Sequence, residues 1–220
     1  MATVVCFGDS NTHGADPETG ERLPPDVRWP GVLAAALGPA HRVVEEGLNG
    51  RTACHDDPTA EGRNAVGYLL PCLWSHEPLD VVVIMLGTND LKFTSSALEI
   101  ARGVDVLVGL ARRSLAGPAG QPPDVLLVAP PPLGPPSERS ELWGFAGAIE
   151  ASRQLGRLYR VVAGEQRVAF LDAGNACTVS PLDGVHLDAD AHGALGRAVA
   201  ERLVARWAER APVRTTSTGA

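Results

Sequence analysis

Ser10 stands where the first apolar segment of the chain ends, and it is the first candidate for chemistry. Residues 3–7 are apolar enough to form a buried strand, and Gly8 and Asp9 follow them. A serine hydroxyl held at the turn after a strand can act as a nucleophile when a neighbouring base activates it. The rest of the chain must therefore supply a base, an acid that orients the base, and hydrogen-bond donors for an oxyanion.

Three further stretches carry polar residues that follow an apolar segment or precede the last helical pattern. They are residues 46–52, 87–90 and 183–186. In an open parallel sheet the ligand crevice lies beyond the carboxyl ends of the strands, so residues distant in the chain converge there. We therefore expect these stretches to share one site with Ser10.

Five apolar segments alternate with segments of helical periodicity, which predicts an α/β fold with a parallel sheet. The expected strands are residues 3–7, 42–44, 80–86, 124–129 and 167–171. The run from Val81 to Leu86 is continuously apolar, as in a strand that is covered on both faces.

Helices are expected at residues 29–37, at 65–76 with a kink or break at Pro71, after Ser95-Ser96, and near the end of the chain. The last one carries an apolar stripe that we assign to the core: Ala191, Leu195, Val199, Leu203 and Trp207. We expect one domain over residues 1–211 and a flexible C-terminal tail over residues 212–220.

Composition limits the classes of partner. The 220 residues include 26 acidic and 19 basic ones, a net charge of −7 that gives no footprint for nucleic acid or an anionic membrane. The four cysteines form no C-x-x-C pair and are interpreted as reduced thiols. Because the first strand starts almost at Met1, we expect no secretory signal and a cytoplasmic protein.

The four stretches, Gly8-Asp9-Ser10-Asn11 and the three above, match in order the pattern of the SGNH or GDSL hydrolases, and the chain resembles that superfamily over nearly its whole length. Four segments are similar to its bacterial arylesterase and acyltransferase branch: residues 26–29, 45–52, 56–58 and 84–90. The resemblance implies a flavodoxin-like three-layer α/β/α sandwich with a parallel sheet of about five strands. The G-x-S-x-G elbow of the rival α/β-hydrolases is absent around Ser10.

The resemblance also implies roles for individual residues. Ser10 is the expected nucleophile, His186 the general base, and Asp183 the acid that orients the imidazole. The expected oxyanion hole comprises the backbone N–H groups of Ser10 and Gly50 and the side-chain amide of Asn89. No cofactor and no metal are expected.

Several other residues are candidates for contact with the substrate. They are Asp9, Asn11, His13, Trp29 and Val185. A solvent-facing position for His13 and a core position for Trp29 are the alternatives. Arg51 is expected to pair with a carboxylate such as Glu45 or Asp9, with substrate contact as the alternative. By resemblance, close acyltransferase relatives carry aromatic residues shortly after the nucleophile, where this chain has Thr12-His13-Gly14-Ala15. The small side chain of Ala15 predicts a wider and less apolar pocket wall.

Two clusters allow a metal-binding interpretation, although capping and solvation account for them better. One comprises Asp183, His186, Asp188, Asp190 and His192, in which Asp188 or Asp190 suits the first turn of the last helix. The other is His55-Asp56-Asp57, which is interpreted as a solvated loop.

By resemblance, the substrates are small aryl or short-acyl carboxylic esters, cleaved through an acyl-enzyme on Ser10, with possible transfer of the acyl group to alcohols or hydrogen peroxide. A carbohydrate O-deacetylase with the same triad and a catalytically silent binding protein are the alternatives. We expect a homo-oligomer that assembles through loops near the site, with residues 17–25, 56–63 and 130–136 as candidates.

Overall fold

A sheet of five parallel strands lies at the centre of the fold. The computed structural model describes residues 1–94 and 96–210. Its strands are β1 (Thr3–Gly8), β2 (Arg42–Gly47), β3 (Val81–Met85), β4 (Asp124–Ala129) and β5 (Ala169–Asp172), and they lie in the order β2-β1-β3-β4-β5. The predicted fold class, an α/β protein with a five-stranded parallel sheet, is confirmed.

Helices cover both faces of the sheet. They are α1 (Ser10–His13), α2 (Trp29–Leu37), α3 (Ala65–His76), α4 (Ala97–Arg113), α5 (Glu138–Leu142), α6 (Ile149–Gln166) and α7 (Ala189–Arg210). Side chains alternate between the two faces of β1: Val5 and Phe7 enter the core that holds α3, α4 and α6, whereas Val4 and Cys6 enter the core that holds α2 and α7. The result is a three-layer sandwich with a separate apolar core on each side of the sheet.

Two strand boundaries differ from the prediction by two residues or more, for physical reasons. Strand β2 continues through Glu45 and Glu46 to Gly47, because an edge strand is only half buried and accepts polar side chains. Strand β5 begins at Ala169, since Arg167 has φ 54° and ends helix α6 in the left-handed conformation.

Two helical expectations also need correction. Helix α3 continues through Pro71 without a break, and packing of the buried Leu69 and Leu73 offsets the one lost backbone hydrogen bond. In α7, Trp207 is only partly buried and stacks on His41, with the ring centroids 5.1 Å apart, while the four other stripe residues are buried. The predicted tail and the end of the predicted domain lie outside the described residues.

The order of the strands creates a crevice. The chain passes from β1 to β2 on one side, and β3 pairs with β1 on the other, so the connections after β1 and β3 diverge at the carboxyl edge of the sheet. Ser10 follows β1 and Asn89 follows β3 at this edge. In the described part of the chain, no helix has the combination of length and apolarity that crossing a membrane requires.

Candidate active site

Ser10, His186 and Asp183 form a continuous hydrogen-bonded chain at the carboxyl edge of the sheet. His186 Nε2 lies 3.0 Å from Ser10 Oγ, and His186 Nδ1 lies 2.7 Å from Asp183 Oδ2. A serine, an imidazole and a carboxylate in this order can transfer a proton from the hydroxyl to the imidazole while the carboxylate fixes the tautomer.

The local sequence holds Ser10 at the first position of α1. Asp9 caps this short helix, since its Oδ1 accepts a hydrogen bond from the backbone N–H of Asn11 at 3.0 Å. The first N–H groups of a helix have no acceptor within the helix. The backbone N–H of Ser10 is therefore free to meet an oxyanion that forms beside its own hydroxyl.

Asp183 is fully buried and accepts three hydrogen bonds. Its Oδ1 accepts from the backbone N–H groups of Val185 at 2.8 Å and His186 at 2.9 Å, and its Oδ2 faces the imidazole. Burial opposes ionisation of this carboxyl, but the hydrogen bonds from His186 and Val185 outweigh it and lower the pKa of Asp183. The carboxylate is therefore charged and rigidly oriented toward the imidazole.

Asn11 ties the nucleophile segment to the segment that carries the base. Its Nδ2 donates to the carbonyl of Val185 at 3.1 Å, and its Oδ1 accepts from the N–H of Leu187 at 2.9 Å. These two bonds span 174 and 176 positions of the sequence. Asn11 thus fixes the distance between Ser10 and His186 by bracing the backbone on both sides of the histidine.

Asn89 reaches the site from the 3₁₀ turn Asn89–Lys92 that follows β3. Its Nδ2 donates to the carbonyl of Arg51 at 3.2 Å and lies 3.5 Å from Asp9 Oδ2. A side-chain amide has two hydrogens, and the longer contact is too weak to hold the second one firmly. One hydrogen is therefore available to an oxyanion.

Two glycines shape the loop after β2 that faces Ser10. Gly50 has φ 76°, in the left-handed region that favours glycine. A Cβ on Gly47 would lie 2.1 Å from the backbone nitrogen of His13, so only glycine permits this loop to approach α1 so closely. Gly50 lines the same cavity as Ser10 and Asn89.

Asp90 organises the loop that carries Gly50 and Arg51. This fully buried carboxylate accepts hydrogen bonds from the N–H groups of Ala53 at 2.7 Å and Cys54 at 3.1 Å and contacts His55 Nδ1 at 2.8 Å. These contacts give Asp90 a structural role in the loop.

Arg51 differs from its expected pairing. Among the described residues it forms no ion pair with Glu45 or Asp9; its Nη1 donates to the carbonyls of Gly8, at 2.9 Å, and Glu46. Its guanidinium also lies 4.2 Å from the ring centroid of Phe7. The carboxylate of Glu45 instead binds Arg22 and Arg28.

Asp9 lies beneath the nucleophile with only 2% of its surface exposed. Burial raises the pKa of its carboxyl to about 6, against the opposing effects of the Asn11 N–H and the nearby His186. The carboxyl of Asp9, which lies next to the Asn89 amide, therefore gains or loses its charge near pH 6.

A cavity of about 300 Å³ opens above Ser10 and His186. Its other lining residues are Ala15, Asp16, Thr19, Gly20, Asn49, Gly50, Asn89, Lys92, Arg139, Trp143, Phe145 and Val185. Trp143 packs edge-on against the His186 ring with centroids 5.4 Å apart. The sequence analysis did not predict four of these lining residues: Lys92, Arg139, Trp143 and Phe145. Because the chain is only 5% aromatic, the close spacing of Trp143 and Phe145 was the feature of the sequence that could have indicated them.

Of the candidate substrate contacts, only Val185 lines the cavity. Asp9 and Asn11 support the site from below, and Trp29 is 1% exposed within the α2–α7 core. His13 ends α1 and lies outside the cavity lining, where its carbonyl accepts from Arg22 Nε at 2.8 Å. None of these four residues lines the cavity.

Asp188 and His192, two residues of the cluster that allowed a metal-binding interpretation, take part in hydrogen bonds within the protein. Asp188 Oδ1 caps α7 by accepting from the N–H of Ala191 at 2.9 Å, and His192 Nδ1 accepts from the N–H of Trp29 at 3.2 Å. Two other groups of described residues have ligand atoms within 4.8 Å of one another: Glu46, Cys72 and His76, and Cys54, His55 and Asp90. Each group contains a 2.8 Å hydrogen bond between its imidazole and a carboxylate.

Comparison with known proteins identifies the family. The family model of the GDSL-like lipase/acylhydrolases matches residues 6–194. No curated protein matches the chain at a significant level.

Comparison with solved structures supports the same family assignment. An aryl esterase from M. smegmatis is 42% identical, with a TM-score of 0.88 over 93% of this chain and 99% of that one. Est24, a carbohydrate acetylesterase from Sinorhizobium meliloti, is 40% identical, with a TM-score of 0.88 over 94% and 100%. A putative arylesterase from Agrobacterium tumefaciens is 43% identical, with a TM-score of 0.85 over 93% and 99%. The chain therefore belongs to the GDSL-like lipase/acylhydrolase family, and it is an esterase.

Proposed function

We propose that this esterase hydrolyses small aryl or short-acyl carboxylic esters through a covalent acyl-enzyme on Ser10. The hydrogen-bonded chain from Asp183 through His186 to Ser10, at the floor of a cavity of about 300 Å³, is the observation that carries the proposal. A cavity of this volume suits a small ester.

The first step is attack by Ser10 Oγ on the ester carbonyl. His186 Nε2 takes the hydroxyl proton as the C–O bond forms, and Asp183 stabilises the resulting imidazolium. The carbonyl oxygen becomes an oxyanion, which the N–H groups of Ser10 and Gly50 and the amide of Asn89 receive.

The tetrahedral intermediate then collapses. The bond to the leaving alkoxide breaks as the imidazolium returns its proton to that oxygen, and the acyl group stays on Ser10. In the second half-reaction His186 removes a proton from water, the new hydroxide attacks the acyl carbon, and the serine leaves with the proton that the imidazole gives back. Acid and free serine are the products.

Transfer of the acyl group to an alcohol or to hydrogen peroxide would follow if either replaced water in the second half-reaction. The cavity wall includes Trp143, Phe145 and Val185, and these side chains supply an apolar surface that an alcohol can contact. The ratio of transesterified product to free acid, measured against alcohol concentration, tests this extension.

A carbohydrate O-deacetylase is the second candidate. One relative with 40% identity carries the name carbohydrate acetylesterase. The wall of the cavity combines two aromatic rings, Trp143 and Phe145, with polar groups on Asp16, Thr19 and Asn49, a mixture that suits a sugar.

Two experiments test the proposal. A fluorophosphonate probe should label the wild-type protein and leave the Ser10→Ala variant unlabelled. Equal labelling of both proteins would show that Ser10 is not the nucleophile. A panel of p-nitrophenyl esters of increasing acyl length, run beside acetylated sugars, separates the arylesterase from the deacetylase. Absence of turnover on every ester would contradict the proposal and favour the alternative of a catalytically silent binding protein.

We also propose that the protein is cytoplasmic and forms a homo-oligomer. All four cysteines are free thiols, which suits a reducing compartment. Fractionation of cells into cytoplasm and secreted material, and light scattering after size exclusion, test the two statements separately.

A further inference from the structure

Lys92 is an unusual residue for the wall of an esterase cavity. It is the only lysine among the 19 basic residues of the chain, and it lines the cavity that contains Ser10 and His186. It follows Asn89 within the same 3₁₀ turn, so the backbone that holds the oxyanion amide also holds this cation.

The ammonium of Lys92 is half buried without an acceptor. In the part of the chain that the structure describes, its Nζ makes no hydrogen bond and no ion pair. The Nζ lies 4.9 Å from the centroid of the Phe145 ring. Burial lowers the pKa of this amine, although Asp57 and Asp9 act in the opposite direction. A contact with one aromatic face leaves the N–H donors of the ammonium free for an anion.

Arg139 adds a second cation at the mouth of the cavity. Its Nη1 donates to the carbonyl of Pro17 at 2.7 Å, and its guanidinium lies 6.0 Å from the Trp143 ring centroid. The same indole packs against His186, so one ring separates Arg139 from the catalytic imidazole. No carboxylate pairs with Arg139 among the residues described.

The acidic residue of the wall, Asp16, forms no ion pair with either cation among the described residues. Asp16 Oδ1 accepts hydrogen bonds from the N–H groups of Glu18 at 2.7 Å and Thr19 at 3.3 Å, which commits this oxygen to its own turn. The chain as a whole carries a charge of −7, yet this cavity presents two cations against one acid.

We propose that the cavity recognises esters that carry a carboxylate, with Lys92 as the main contact and Arg139 at the mouth. The inference rests on the proposed esterase function and narrows its substrate class to anionic esters, such as hemiesters of dicarboxylic acids or acylated hydroxy acids. A carboxylate that replaced water around Lys92 would form charge-assisted hydrogen bonds where solvent screening is reduced.

Matched pairs of substrates test the proposal. p-Nitrophenyl hemisuccinate and p-nitrophenyl isocaproate have the same shape and differ in charge on the acyl side; para-acetoxybenzoate and its methyl ester differ in charge on the alcohol side. The readout is the ratio of kcat/KM for the anionic ester to kcat/KM for its neutral partner, after subtraction of spontaneous hydrolysis. This ratio cancels any general loss of activity in a variant.

Lys92→Met should lower the ratio by about tenfold or more for one of the two pairs, since hydrogen bonds to charged groups contribute at that level. Arg139→Gln should lower it less, Lys92→Arg should restore most of it, and Arg153→Gln, on the exposed face of α6, should leave it unchanged. A ratio for Lys92→Met within about threefold of wild type in both pairs overturns the proposal, because a purely structural role would lower both esters equally.

Chemical modification gives a measurement that does not depend on a variant's folding. Because the chain has no second lysine, carbamylation with cyanate neutralises this side chain and, among the other amines, affects only the N-terminal one, whereas reductive methylation keeps the charge. Reversal of thiol adducts at alkaline pH, and protection of Ser10 with a competitive inhibitor during the reaction, confine the change to amines. Carbamylation should lower the ratio in wild type and not in Lys92→Met; an unchanged wild-type ratio contradicts the proposal. If no ester of either charge is hydrolysed, the proposed function fails, which is a different outcome.

Discussion

The floor and the wall of the cavity are built in different ways. The floor comprises Ser10, Asn89 and His186, supported from beneath by the buried Asp183, and the wall comprises the loop residues Asp16, Thr19 and Gly20 together with Lys92, Arg139, Trp143 and Phe145. Ser10, Asn89 and Asp183 are 7%, 4% and 0% exposed, whereas Trp143 is 37% exposed. The floor side chains are also hydrogen-bonded: Ser10 to His186, His186 to Asp183, and Asn89 to the carbonyl of Arg51.

The two parts of the site should therefore tolerate change differently. The floor follows strand ends in a close-packed core, where a displaced atom disturbs several hydrogen bonds at once. The wall comes from surface connections that each contribute a few residues, and connections of this kind carry specificity in many enzymes. We expect substitutions in the floor to reduce the rate and substitutions in the wall to change the preference among substrates.

The largest effect is expected from Asp183→Asn. The amide cannot accept from His186 Nδ1–H as a charged partner and favours the wrong tautomer, so kcat should fall by about 10⁴, by analogy with the same change in another serine triad. Steady-state kinetics with a p-nitrophenyl ester measures this, and Asp190→Asn in the first turn of α7 is the matched control. A folded variant with near-normal kcat would remove Asp183 from the triad.

Asn89→Ala should lower kcat by about 10² to 10³, because it removes one donor from the oxyanion hole. The control is Asn175→Ala, an exposed asparagine in a turn outside the cavity. If Asn89 only supports the Arg51 carbonyl, thermal stability will fall while kcat of the remaining folded protein stays high.

His192→Asn tests the packing beneath the floor. His192 is fully buried; its Nδ1 accepts from the Trp29 N–H, and its Nε2 has no partner among the described residues. Burial lowers its pKa from 6.5 to about 4, so between these values the unfolded chain binds a proton that the folded chain does not. Stability is therefore lost as the pH falls through this window.

Asparagine keeps an acceptor for Trp29 and cannot be protonated. Relative to wild type, the variant should gain about 2 kcal/mol in free energy of unfolding when the pH is lowered from about 7 to about 5. Urea denaturation at the two pH values measures the difference. Parallel pH dependence in the two proteins would show that His192 does not resist protonation in the folded state.

The smallest effect is expected in the wall. Trp143→Ala removes the indole beside His186 and enlarges the cavity, which should move the preference toward longer acyl chains by about tenfold or less in kcat/KM. The acyl-length series of p-nitrophenyl esters measures this, with the neighbouring Leu142→Ala, 86% exposed and outside the lining, as control. An unaltered acyl-length profile would place Trp143 outside the substrate path.

The sheet and the floor of the cavity follow from local patterns in the amino-acid sequence. Continuous apolar runs such as Val81–Met85 are set by burial on both faces, and the polar residues that follow strands must meet at one edge of a parallel sheet. These patterns place Ser10 and Asn89 at one edge of the sheet, and the resemblance to the SGNH hydrolases adds Asp183 and His186, which precede the last helix.

The wall and the supports of the floor depend instead on how distant segments pack against one another. Helices α5 and α6 were not predicted individually, although the buried face of α6 repeats every three or four residues. Asn11 and His13 are close to Ser10 in sequence, and Trp29 begins α2. None of the three lines the cavity. Lys92, Arg139 and Trp143 face the cavity because separate connections fold over the same strand ends, and no local pattern encodes the direction of a side chain on such short connecting segments.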